Sequence, residues 1–137
     1  MLITHNDAAL RNLLTSAHVI AVVGHSNRPF RTSYQIAAYL RRVGYKVYPV
    51  NPEIKNVDGQ PCYPSLADVP EPIDIVNVFR RSEFLADVVE QAVLVKAKAV
   101  WAQLGVHSNA TATVAEVAQL PLVMDACIKV EHRRLLG

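Results

Sequence analysis

The chain has 137 residues, of which 51% are hydrophobic and 19% charged, with a mean hydropathy of +0.16. This supplies one sizeable core for one domain, residues 1–137, and is far too apolar for an intrinsically disordered chain. Fourteen Lys and Arg against twelve Asp and Glu leave a net charge of +2, so there is no basic stripe and no nucleic-acid partner is expected.

Taken in chain order, Asn6 or Asp7 caps a predicted helix over about residues 7–15. HVIAVVG (18–24) then reads as a strand, apolar on both faces, as in a parallel sheet covered on both sides. Thr32 or Ser33 caps a helix over about 33–43 that ends at Gly44. KVYPV (46–50) is the second strand. Six of the prolines fall between Pro49 and Pro72, so residues 49–72 read as a long irregular connection with a short helix at 65–68. IDIVNVF (73–79) is the third strand, and Ser82, Leu85, Val88, Val89 and Ala92 give the stripe of a third helix. KAVWAQL (98–104), with Trp101 expected in the core, leads to a helix starting at Ser108 or Asn109. LPLVMD (120–125) precedes a last helix over about 128–135.

Strands alternating with helices in this order predict right-handed crossovers. The expected fold is a single Rossmann-like α/β domain, a doubly wound parallel five-stranded sheet with helices on both faces. A ligand of such a sheet lies outside the carboxyl ends of the strands where the strand order reverses. The candidate segments are therefore 24–33, 51–53, 79–81 and 103–107.

The first of them, VVGHSNRPFRTSYQIAAYL, is the strand-to-helix turn where dinucleotide domains place a pyrophosphate. The helix N-terminus offers N–H groups and partial positive charge. Ser26, Thr32 and Ser33 add hydroxyls, and Arg28 and Arg31 add cations. Only Gly24 stands where a G-x-G-x-x-G motif would have three glycines. The alternative for this turn is plain helix capping. After strand two come Asn51 and Pro52, where an NAD domain usually carries an acidic residue for the ribose, although Glu53 follows. Phe79 and Arg80 follow strand three, where a flat guanidinium suits an adenine or a phosphate.

Across almost the whole chain, VGHSNRPFRTSYQIAAYLRRVGYKVYPVNP, GQPCYPSLADVPEPIDIVNVFRRSE, KAVWAQLGV and LPLVMDACIKVEHRRL occur in one order. This combination resembles the small CoA-binding domain proteins, which are similar to the CoA-binding domain of the succinyl-CoA synthetase α chain. The resemblance implies a Rossmann-type domain whose cofactor is CoA or an acyl-CoA. Its phosphate loop would be Gly24, Ser26, Arg31 and Ser33. Asn51, Pro52, Phe79, Arg80, Gln103 and Gly105 would lie at the other strand ends. The sequence departs from the family at Ala126, where many members have Arg, and at Lys96, where a helix-ending Gly is usual. The synthetase's phosphorylated histidine belongs to a second domain that has no matching region in this sequence.

Other residues weigh less. His25 is either a phosphate donor when protonated or a solvent-facing turn residue. His107 is either a general base or part of a helix start. Cys127 is either a nucleophile or a small buried hydrophobe. No Ser/His/Asp set, paired carboxylates or metal spacing emerges, so neither a catalytic residue nor a metal site is assigned and no enzymatic activity is expected. Two other function classes stay open: a regulatory module sensing NAD(P) or another nucleotide, and a small acyl-CoA-processing enzyme acting near Gln103, His107 or Cys127. Cys62 and Cys127 form no CxxC, MLITHNDAALRN has no signal-peptide core, and no run approaches 18 apolar residues. A cytoplasmic chain with reduced thiols and no membrane contact is the expectation. Protein partner and oligomeric state are left open.

Overall fold

A computed structural model describes all 137 residues. Helix α1 (Asp7–Ser16) starts at Asn6, whose side chain accepts from Ala9 N at 3.1 Å. Strand β1 (Val19–Val23), α2 (Thr32–Arg42) and β2 (Lys46–Val50) follow. A small antiparallel hairpin then pairs β3 (Asn56–Val57) with β4 (Gln60–Pro61). A 3-10 turn at Leu66–Asp68 leads to β5 (Ile75–Val78), a second 3-10 turn at Ser82–Phe84, and α3 (Leu85–Leu94). The chain ends with β6 (Ala99–Ala102), α4 (Asn109–Val117), β7 (Leu122–Val123) and α5 (Ile128–Leu136).

The five main strands are parallel, in the order β2-β1-β5-β6-β7. Strand order reverses between β1 and β5, which places the crevice of a doubly wound sheet there. Alternate strand residues feed opposite layers. Ile20, Val22, Ile75, Trp101 and Val123 pack with Leu10, Leu14, Ile36, Leu40 and Ile128 under α1, α2 and α5. Ala21, Val23, Val76, Val78 and Val100 pack with Leu85, Val88, Val89 and Ala115 under α3 and α4. Each fully buried aliphatic side chain contributes about 1.5–3 kcal/mol of apolar transfer, so both helical layers are held mainly by these rows. Trp101 lies wholly inside, and its Nε1–H donates to Ala126 O at 2.9 Å.

Two local expectations change. The connection 49–72 is not wholly irregular, because Asp58 and Gly59 both adopt left-handed φ and turn the β3–β4 hairpin. The third helix begins at Leu85, since Ser82 is spent on a 3-10 turn. Lys96, where glycine is usual, takes φ 59° and ends α3 all the same.

Both outer strands have partners. On β2, Pro49 faces away from β1, its carbonyl accepts from Tyr63 N at 2.9 Å, and Val47 O accepts from Gln60 Nε2 at 2.8 Å. On β7, Leu2 forms a parallel bridge to Leu122, with Ile3 N donating to Leu122 O at 2.9 Å. At the amino edge of the sheet, Asp74 Oδ2 accepts from His18 N and Val19 N at 2.8 and 2.9 Å, and Oδ1 pairs with Lys98 at 3.3 Å.

Candidate functional site

Gly24 ends β1 at φ 85°, where a Cβ would stand 2.6 Å from the Phe79 carbonyl oxygen. Glycine is therefore required twice over, by the left-handed backbone and by the close approach of β1 and β5 at the switch point. The loop that leaves Gly24 is held from several sides. Asn51 Nδ2 donates to His25 O at 3.2 Å, and Asn51 Oδ1 accepts from Glu53 N at 2.9 Å. Ser26 N donates to Ser33 Oγ at 3.0 Å, and Ser26 Oγ accepts from Arg28 N at 3.1 Å.

The expected capping by Thr32 or Ser33 is corrected by this arrangement. The N-cap of α2 is Arg31, which makes no side-chain cap, and Ser33 instead secures the loop. The first-turn N–H groups of α2 thus face the loop without a capping side chain, and the first turn carries no acid. Arg28 and Arg31 are exposed and form no ion pair.

Two clefts open at this edge and share Gly24, Asn51 and Glu53. The larger, about 640 Å³, is walled by Ser26, Arg28, Arg31, Thr32, Ser33 and Phe79. The smaller, about 370 Å³, runs over Pro52, Ser65, Leu66, Arg80, Asp87 and Gln91. Arg80 stacks its guanidinium 4.5 Å above the Phe84 ring, leaving a flat cation on that wall. Ten of the predicted binding residues thus come together: Gly24, Ser26, Arg28, Arg31, Thr32, Ser33, Asn51, Pro52, Phe79 and Arg80.

Gln103 and Gly105 lie after β6 as expected but line neither cleft. Gln103 is buried, and its Oε1 accepts from Ile128 N at 3.0 Å, which caps α5. Gly105 N donates to Asp125 Oδ1 at 2.6 Å, and Ser82 Oγ bridges Gly105 O and His107 N. The loop after β6 is thereby closed on itself.

His25 is corrected too. It is neither solvent-facing nor a phosphate donor, for it is fully buried. Its Nδ1 donates to Ser26 O at 2.7 Å and its Nε2 accepts from Arg41 Nη1 at 3.2 Å. Arginine only donates and a carbonyl only accepts, which fixes the neutral tautomer. Burial pushes the imidazole down to about 4. Cys127 is the N-cap residue of α5, while Cys62 Sγ donates to Asn51 O at 3.6 Å and burial pushes its thiol up.

Glu53, inside the candidate segment 51–53, walls both clefts, whereas sequence reasoning missed Asp87 and Gln91 in the smaller one. The last two were legible in principle, because their i, i+4 spacing puts them on one polar face of the helix after the third main strand, and Gln91 Nε2 donates to Asp87 Oδ2 at 2.9 Å.

Comparison with known proteins adds to this geometry. A Bacillus subtilis protein named YneT, described as uncharacterized, is 40% identical over 127 residues, covering 93% of this chain and 94% of its own. The solved structure of a hypothetical protein from Pyrococcus horikoshii superposes with a TM-score of 0.92 at 40% identity, over 96% of this chain and 92% of that one. An ADP-forming acetate–CoA ligase of Archaeoglobus fulgidus is 33% identical over 73 residues, 53% of this chain but 11% of the ligase. The sequence pattern of the CoA binding domain matches residues 18–133, and on that match the chain belongs to the CoA-binding domain family.

Proposed function

We propose that the protein binds CoA or an acyl-CoA through its ADP-phosphate portion and performs no chemistry of its own. The observation that carries this reading is the loop at the β1/β5 switch point. There the uncapped start of α2 and two unpaired arginines surround one cleft, while a second cleft leads away past the end of β2 and along α3. The first supplies donors and positive charge for phosphates. The second supplies room for a longer, less charged arm. Membership in the CoA-binding domain family and the match to a segment of acetate–CoA ligases support the same ligand.

Four candidate groups support the absence of catalysis. His25 is held neutral and buried, Gln103 caps a helix, and His107 and Cys127 line neither cleft. A nucleophile or base has to reach within about 3 Å of the reacting atom. A cytoplasmic location with free thiols goes with this reading. No helix is long and apolar enough to cross a membrane.

A thermal-shift panel of CoA, acetyl-CoA, NAD, NADP and ATP tests the proposal. CoA at 100 times its dissociation constant should stabilise the fold by about 2.7 kcal/mol. A response to NAD or NADP with none to CoA would replace this reading with a nucleotide sensor. Thiol release from acetyl-CoA and longer thioesters should equal that of buffer. Release that disappears in a Cys127→Ala, His107→Ala double variant would make the protein an enzyme.

A further inference from the structure

A chain of partly buried polar contacts runs from the candidate phosphate loop to the β3–β4 hairpin. Ser26 O accepts from His25 Nδ1, His25 Nε2 accepts from Arg41 Nη1 at 3.2 Å, and Arg41 Nη2 donates to Gln60 Oε1 at 3.1 Å. Gln60 Nε2 in turn donates to Val47 O on β2 at 2.8 Å. A second tie fastens the same hairpin to α2, because Tyr34 donates to Asp58. Arg41 is partly buried yet forms no ion pair, and its side-chain hydrogen bonds go to two neutral acceptors. A half-buried guanidinium held this way is satisfied only while both acceptors stay in place.

We propose that His25 is a positioning residue for the ligand loop, and that His25, Arg41 and Gln60 form a brace through which the hairpin sets that loop's geometry. This rests on the reading of the loop as the CoA phosphate site. His25 touches no part of either cleft. It acts through Ser26, whose carbonyl it fixes while Ser33 fixes the amide. With both sides of Ser26 held, the loop presents Arg28 and the start of α2 in one arrangement, and the ordering cost of binding is met before the ligand arrives. The groups facing the imidazole are Arg41 and Tyr34 from α2 and Asp58 from the hairpin. A cationic His25 would lose its role as acceptor and meet Arg41 as a like charge, so the brace works only with neutral imidazole.

The test compares CoA affinity by calorimetry with amide hydrogen exchange across residues 24–33 in the ligand-free protein. His25→Leu should weaken CoA binding about tenfold and speed exchange in the loop, the scale of one lost buried hydrogen bond. His25→Asn keeps a donor for Ser26 O and should recover affinity to within about threefold of wild type. Gln60→Ala lies outside both clefts and should cost about threefold in affinity with faster loop exchange. Nitrogen NMR of the wild type should find Nδ1 protonated and Nε2 bare at neutral pH. If His25→Leu does not fold, the Asn and Gln60 variants decide. Wild-type loop exchange in Gln60→Ala overturns the brace, and failure of His25→Asn to recover overturns the positioning role. Wild-type protein that binds no CoA overturns the functional reading instead, and the exchange measurements still decide the brace.

Discussion

Two strand-to-helix turns lie on the same edge of the sheet and behave in opposite ways. The turn after β1 uses side chains and backbone to hold its own shape, yet leaves the start of α2, Arg28 and Arg31 unspent. The turn after β6 spends several of its groups internally: Gln103 Oε1 caps α5, Gly105 N meets Asp125, and Ser82 ties Gly105 to His107. Both occupy the edge where doubly wound sheets bind ligands. After its own fold is satisfied, the turn after β1 keeps two exposed cations and an uncapped helix start, whereas the helix after the β6 turn is capped by Ser108.

The most severe way to break the contrast is Gly24→Ala. The left-handed backbone and a Cβ 2.6 Å from Phe79 O should together cost about 3 kcal/mol or more, read as a fall in the urea midpoint. A loss below about 1 kcal/mol would mean that the β1–β5 approach relaxes easily.

Acid should act next. The unfolded His25 takes up a proton near 6.5, the folded one only at about 4. Between these values the unfolded chain binds more protons, so stability is full above pH 6.5 and falls as the pH falls toward 4, by about 3 kcal/mol in all. Denaturant midpoints measured across this range should drop in the wild type and drop less in His25→Asn. Asp74 adds a loss at lower pH. Burial raises its carboxyl, but the His18 and Val19 amides and Lys98 outweigh burial and hold it below the usual range. Its contribution is present above the unfolded value, about 3.9, and disappears as the pH falls through the folded one.

The two turns should then separate affinity from stability. Arg31→Ala should weaken CoA binding by about 1.5–3 kcal/mol and change the urea midpoint little, because the guanidinium is exposed and unpaired. Gln103→Leu should do the reverse, costing about 1–3 kcal/mol of stability by leaving Ile128 N without its acceptor while CoA affinity holds. Calorimetry and urea titration on both variants give a crossed result if the comparison is right and a parallel one if it is not. The smallest effect is expected from Gly105→Ala, about 1 kcal/mol, since its φ of 86° is strained for alanine but no atom lies within 4 Å of the added Cβ.

What could be seen in the sequence was what depends on near neighbours. The Val- and Ile-rich runs around Ile20, Ile75 and Val100 have the pattern of strands buried on two faces, and Leu85, Val88 and Ala92 show a helix period. Gly24 followed by Ser26, Arg28 and Arg31 marked the loop. The β3–β4 hairpin was obscured because each strand has two residues and one of them is Pro61, although Asp58-Gly59 carries the turn signal. The partners of His25 and Gln103 were hidden for another reason. The roles of these two residues are decided by Arg41 and Ile128, which are 16 and 25 positions away along the chain. Local periodicity carries no information about such partners, so a polar residue after a strand reads as available until its distant partner is known.

The treatment of the sheet's outer strands bears on solubility and assembly. An open strand edge invites another chain to add to it, the route to cross-β aggregation and to edge-to-edge dimers. Here Pro49 offers no outward N–H, Tyr63 and Gln60 occupy the neighbouring carbonyls of β2, and Leu2 with Ile3 covers β7. On both sides of the sheet the outer hydrogen-bonding groups are thus partly engaged by the chain's own segments, so a foreign strand would meet edges already in use.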